Sequence, residues 1–167
     1  RGTTQQQRNL TVSVPAGVED GTRIRLTGEG NAGGPGATPG DLYVFVNVRP
    51  HAYLQRDGAD LLCAIPIAFD LAARGGTLSV PLLNGKRVKL SIPSGAQSGQ
   101  QFRLRGKGMP VLRSRSHGDL YVQIDVEVPS GLNKKQQALL DAFTGSLDDN
   151  NYPDVKDFDT RSNKANS

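Results

Sequence analysis

The chain has 167 residues, room for one domain or two small ones, and its 36% hydrophobic residues, 20 Gly, 10 Pro and absent Trp describe loop-rich modest cores. No apolar run approaches the roughly 18 residues of a membrane helix, and no basic-then-apolar leader opens the chain. A net charge of +4 permits acidic partners without demanding them, while the lone Cys63 excludes an internal disulfide and a thiolate zinc site.

In chain order, Leu10-Thr11-Val12-Ser13-Val14 alternates apolar and polar side chains, the pattern of a strand with one buried face. Pro15 ends it, because proline cannot donate to a ladder, and Asp20-Gly21 supplies a turn. Further strands are expected at Arg23–Leu26 and, after a Gly-rich stretch, at Asp41–Val48. Strands near Ala59–Ile65 and Thr77–Val80 flank a short helix at Ala68–Arg74 that Gly75-Gly76 stops. The Asn84-Gly85 pair between Leu83 and Lys86 predicts a two-residue hairpin turn with positive backbone angles. The strands Val88–Ile92, Gln101–Leu104 and Asp119–Val128 then repeat the opening pattern.

That repetition is the most informative feature. A shift of 78 positions carries Leu10–Val48 onto Val88–Val126 without a gap. Pro15 meets Pro93, Gly17 meets Gly95, Arg25-Leu26 meets Arg103-Leu104, and Gly40-Asp41-Leu42-Tyr43-Val44 recurs as Gly118-Asp119-Leu120-Tyr121-Val122. Roughly a third of aligned positions are identical, as self-similarity at a fixed offset requires. The second copy has its leading strands within residues 51–87; by the same offset the first copy's would lie upstream of Arg1, so the first copy reads as incomplete. The opening Arg1-Gly2 in place of Met is in keeping with a piece of a larger protein.

Beyond the second copy, Asn133 and Gln136 form a capping box ahead of a helix whose Leu139, Leu140 and Phe143 share a face, with Leu132 just before the cap. A helix this short is marginal in water, so the stripe is expected to dock on something. Residues 146–167 are polar, rich in Asp and Asn and without period, and are expected to be a disordered tail. The fold expected is therefore mainly β: two tandem related β-sandwich-like lobes at 1–50 and 51–129, the first incomplete, then a short C-terminal helix at 130–145.

These residues carry a family resemblance. Val14-Pro15-Ala16-Gly17-Val18 with Gly21, Arg25-Leu26, Gly28-Glu29-Gly30 and Gly40-Asp41-Leu42-Tyr43 resemble the first C-terminal lobe of DnaJ-type co-chaperones. His51, Arg56-Asp57-Gly58 and Asp60-Leu61 look like the junction into the second lobe. Gly75-Gly76, Ile92-Pro93-Ser94-Gly95, Gly106-Lys107-Gly108-Met109-Pro110 and Gly118–Tyr121 match the second lobe, and Leu132-Asn133 with Gln136 and Leu139-Leu140 the terminal dimerisation helix. The match runs over about Leu10–Phe143. It lacks the family's His-Pro-Asp J domain and its Cys-rich zinc module, so zinc is expected only in an upstream module and no cofactor in this chain.

The resemblance implies a homodimeric, non-enzymatic binding module. An unfolded client polypeptide would lie on a lobe as an added strand, with an apolar pocket selecting large hydrophobic side chains, for delivery to a DnaK-type ATP-driven chaperone. Carried over position by position, the groove walls are Leu10 and Val44; Val12 joins them from alternation alone. Pairing would run through Leu132, Leu139, Leu140 and Phe143. The basic run Arg103, Arg105, Lys107, Arg113 and Arg115 is a candidate landing site for the partner chaperone's acidic tail, or a solvated loop face. The absent leader and disulfides point to the cytoplasm, with an organelle interior as the alternative.

Two other classes are weaker. Nucleic-acid binding fits the basic run, but aromatics are 5% and none lies between Phe102 and Tyr121 to stack on bases. Catalysis would draw on His51 with Asp57 and Asp60, or on His117, yet no nucleophile motif accompanies them and junction turns explain both.

Overall fold

The computed structural model describes residue 5 and residues 7–167. Chain contacts divide it into two compact units, one ending at Glu127 and one spanning Val128–Ser167. The two repeats therefore share the first unit, and the boundary expected at 50/51 falls inside that unit.

The first repeat contributes one hairpin, β1 (Arg23–Leu26) and β2 (Leu42–Phe45), antiparallel with Ile24 opposite Val44 and Leu26 opposite Leu42. The segment Leu10–Val14, expected as a strand, has no regular secondary structure and pairs with no strand among the described residues. Its counterpart in the second repeat shows why. There β6 (Arg87–Ile92) is held antiparallel by β5 (Gly76–Pro81). The same offset places a partner for Leu10–Val14 at or before residue 3, outside the described residues.

In the second repeat a four-stranded sheet runs β3 (Gln55–Asp57), β4 (Asp60–Ala68), β8 (Leu120–Glu127), β7 (Gln101–Leu104). β4 and β8 are parallel, with Cys63 opposite Val122, and the other pairs are antiparallel. The β5–β6 hairpin closes one face. Leu61 and Cys63 of β4, Leu120 and Val122 of β8 and Val80 of β5 form one cluster with Leu54 and Leu82. Ile67, Ile92, Ala96, Ile124 and Ala72 of α1 (Phe69–Arg74) form the second. Alternation along β8 sends Leu120, Val122 and Ile124 inward with no exposure at all.

The hairpin turn differs from expectation. Gly85 alone has a positive φ, +82°, and Asn84 does not. Leu82 N–H donates to the Lys86 carbonyl, and Gly85 N–H to the Leu82 carbonyl. This is a three-residue loop, Leu83-Asn84-Gly85, in which a tight turn is followed by a left-handed glycine.

In the second unit, α2 (Lys134–Gly145) carries the expected capping box. Asn133 Oδ1 accepts from Gln136 N at 2.8 Å, and Asn133 N donates to Gln136 Oε1 at 2.9 Å. The tail corrects the reading of residues 146–167 as disordered: a 3-10 turn at Asp149–Asn151 leads into α3 (Pro153–Ala165). Composition hid its helix signals. Pro153 opens the first turn with its φ preset, Asp154 and Lys164 complement the helix dipole, and Asp157 pairs with Arg161 one turn on at 3.1 Å. Among the described residues no helix is long and apolar enough to cross a membrane.

Candidate functional site

The duplication persists at the level of individual hydrogen bonds. In the first repeat Asp41 Oδ1 accepts from Gly28 N at 3.0 Å, and Arg25 Nε donates to Asp41 Oδ2 at 2.7 Å. In the second, Asp119 Oδ1 accepts from Gly106 N at 2.9 Å and Arg103 Nε donates to Asp119 Oδ2 at 2.8 Å. Each aspartate thus ties the loop leaving one strand to the strand that follows. The glycine N–H first, and the arginine beside it second, hold each carboxyl below the usual carboxylate range. Further along, Asp20 Oδ1 accepts from Val48 N, and in its place Ser98 Oγ accepts from Val126 N.

Burial separates the repeats. Ile24, Leu26, Leu42 and Val44 of the first hairpin are only half-buried, and the described residues of the first repeat include none of the core residues. No strand but β1 pairs with β2 among the described residues. Here lies Val44, opposite Ile24. Leu10, 38% exposed, and the half-buried Val12 lie in the irregular chain ahead of β1. The opposite face exposes Tyr43 and Phe45, with the Arg23 guanidinium 4.8 Å from the Tyr43 ring centre. Neither aromatic is marked by strand alternation. The signal is the unbroken apolar run Leu42–Val46, which the second repeat interrupts with Gln123 at the position of Phe45.

The basic run is divided by the structure. Arg103 is paired with Asp119, with Nη2–Oδ2 at 2.6 Å, so its charge is engaged within the repeat. Arg105 and Lys107 are exposed, and Arg113 and Arg115 lie on the exposed loop between Val111 and Ser116, Arg113 with a φ of +60°. In α2, Leu139, Leu140 and Phe143 are all exposed, and Leu132 is half-buried.

Of the residues considered for acid–base chemistry, His51 and Asp60 are engaged with backbone N–H groups. His51 Nδ1 accepts from Tyr53 N and Leu54 N, Asp60 Oδ1 accepts from Asp119 N, and burial pushes the Cys63 thiol up. Among the described residues no three His, Cys, Asp or Glu side chains gather as metal ligands. An open cleft of about 720 Å3 lies at the joint between the repeats, with Val48, Pro50, Leu54, Leu61, Leu83 and Met109 in its walls.

Comparison with known proteins points one way. Residues 2–129 match the family described as DnaJ C terminal domain. The chain is 56% identical over 142 residues to the Chaperone protein DnaJ of Acidiphilium cryptum, which covers 85% of this chain and 37% of that protein. With the protein of the same name from Rhizobium etli it shares 53% over 156 residues, 93% of this chain and 42% of the relative. With that of Brucella anthropi it shares 50% over 161 residues, 96% and 43%. The chain thus spans about two fifths of the length of these curated relatives.

Proposed function

Because this chain belongs to the DnaJ C-terminal domain family, we propose that it binds unfolded or hydrophobic polypeptide segments, by strand addition beside an apolar groove, for delivery to a DnaK-type chaperone. The observation that carries the reading is the β1–β2 hairpin: an apolar face left half-covered, on strands with free edges among the described residues. Free backbone N–H and C=O groups accept an extended chain of any sequence, and the groove beside them selects bulky apolar side chains. Leu10 and Val44 form its walls, with Val12 as a neighbour. The module acts by binding, with no catalytic chemistry of its own.

Two further parts complete the proposal. The exposed stripe of α2, with Leu132, pairs with the same stripe of a second copy, so that two arms hold one client and gain from effective concentration. Arg105, Lys107, Arg113 and Arg115 receive the acidic tail of the partner chaperone, with Arg103 contributing through the strand it anchors.

Suppression of aggregation of a denatured model protein, read beside mass from light scattering, tests the proposal. Leu10→Asp is expected to lose most of the protection while keeping the dimer mass. Leu140→Asp is expected to give a monomer mass with weakened protection. Undiminished protection by Leu10→Asp would remove the groove, and an unchanged mass for Leu140→Asp would remove the pairing.

A further inference from the structure

We propose that Arg56 is a positioning residue that fixes the angle between the two repeats. Arg56 stands on β3, opposite Leu61, and so belongs to the sheet of the second repeat. Its guanidinium reaches into the first. Nη1 donates to the Val18 carbonyl at 2.7 Å and Nη2 to the Gly17 carbonyl at 2.8 Å, while Nε donates to the Gly58 carbonyl in its own β3–β4 turn at 2.8 Å. One planar group with three directed donors thus joins two turns that the sequence places far apart, and its side chain is only 23% exposed. Glu19 adds a looser contact at 4.0 Å.

The turn that Arg56 grips is docked on the second repeat by its backbone. A Cβ built on Gly17 would overlap the Pro110 carbonyl oxygen and lie 3.0 Å from Leu112 N. Its counterpart in the second repeat, Gly95, has nothing within 4 Å of the same position. The left-handed backbone is common to both glycines, with φ +88° and +78°, but the close approach belongs to Gly17 alone. The short covalent connection is fastened at both ends as well, by Asp20 on Val48 N and by His51 Nδ1 on Tyr53 and Leu54 N. The repeats are therefore held as one arm, and the cleft between them keeps its shape. This inference concerns geometry alone and does not depend on client binding.

Distances between spin labels test it. Labels at the exposed Thr27 and Thr77, one in each repeat, are introduced by cysteine substitution in the full chain, with the buried Cys63 left in place and excess unlabelled chain added to isolate single copies. The parent is expected to give one narrow distance distribution. Arg56→Ala is expected to broaden and shift it, and Arg56→Lys, which keeps the charge but loses the planar fork, to broaden it as well. Arg103→Ala removes an ion pair inside the second repeat and is expected to leave the width unchanged. Should Arg56→Ala lose its cooperative melt, Arg56→Lys carries the test. A distribution as narrow as the parent's in the folded Arg56 variants, or equal broadening in Arg103→Ala, would overturn the proposal.

Discussion

The two repeats share their local wiring and differ in what covers them. The Asp41–Gly28–Arg25 and Asp119–Gly106–Arg103 triads have the same connectivity, with distances that agree within 0.1 Å for each pair of equivalent bonds. Yet Leu120, Val122 and Ile124 are sealed, while Leu42, Val44 and Val46 at the matching positions are half-buried. The triad needs only neighbours close in sequence; a sealed face needs β4 on one side and β5–β6 above. Hydrogen-bonded turns therefore do not report whether a sheet has a core. In this molecule the sheet lacking a core is the one proposed to take a client.

The largest expected contrast is in large-to-small substitutions. Leu120→Ala should cost about 2–5 kcal/mol, because a fully enclosed site cannot collapse around the void. Leu42→Ala, half-open already, should cost about 1 kcal/mol. Urea unfolding of both variants measures the gap, and equal costs would mean that something covers the first hairpin. A smaller contrast separates the two glycines. Gly95→Ala should lose about 1–2 kcal/mol to its left-handed backbone alone. Gly17→Ala should lose about 1–3 kcal/mol more, for the overlap with Pro110. Matching midpoints would break the assignment of Gly17 to the joint.

The smallest contrast is expected at the paired aspartates. Both carboxyls are held below their ordinary value of about 3.9, so each stabilises the fold above that pH and loses its contribution as pH falls through the lower folded value. The window thus lies below about pH 4. Asp41→Asn and Asp119→Asn should each flatten the decline in stability there, and by similar amounts. Urea midpoints measured from pH 5 down to pH 3 check this; a flattening in one variant alone would show that the two triads are not energetic equivalents.

Much of the fold was legible because its signals are local. β1 and β7 fall on the expected residues, the α2 capping box needs only Asn133 and Gln136, and α1 stops at Gly75, whose φ of +79° suits glycine. Misses came from two sources. Leu10–Val14 has the alternation of a strand, but alternation supplies no ladder partner. In α3 a polar composition outweighed Pro153 and the Asp157–Arg161 pair, signals that a search for helix starts would have caught. At the candidate site, Leu10 and Val44 came from resemblance, whereas the grip of Arg56 on Gly17 and Val18 has no periodicity to betray it.

Sequence by itself determined the duplication, most strand positions (β3 and the unpaired Leu10–Val14 excepted) and the α2 cap, since these rest on side-chain alternation, glycine placement and contacts a few residues apart. Only the tertiary structure decided that β4 pairs parallel with β8, that one hairpin face is sealed and its twin half-open, and that a single guanidinium bridges the repeats. Those outcomes depend on groups tens of residues apart meeting in space, and pairing at that distance leaves no pattern along the chain.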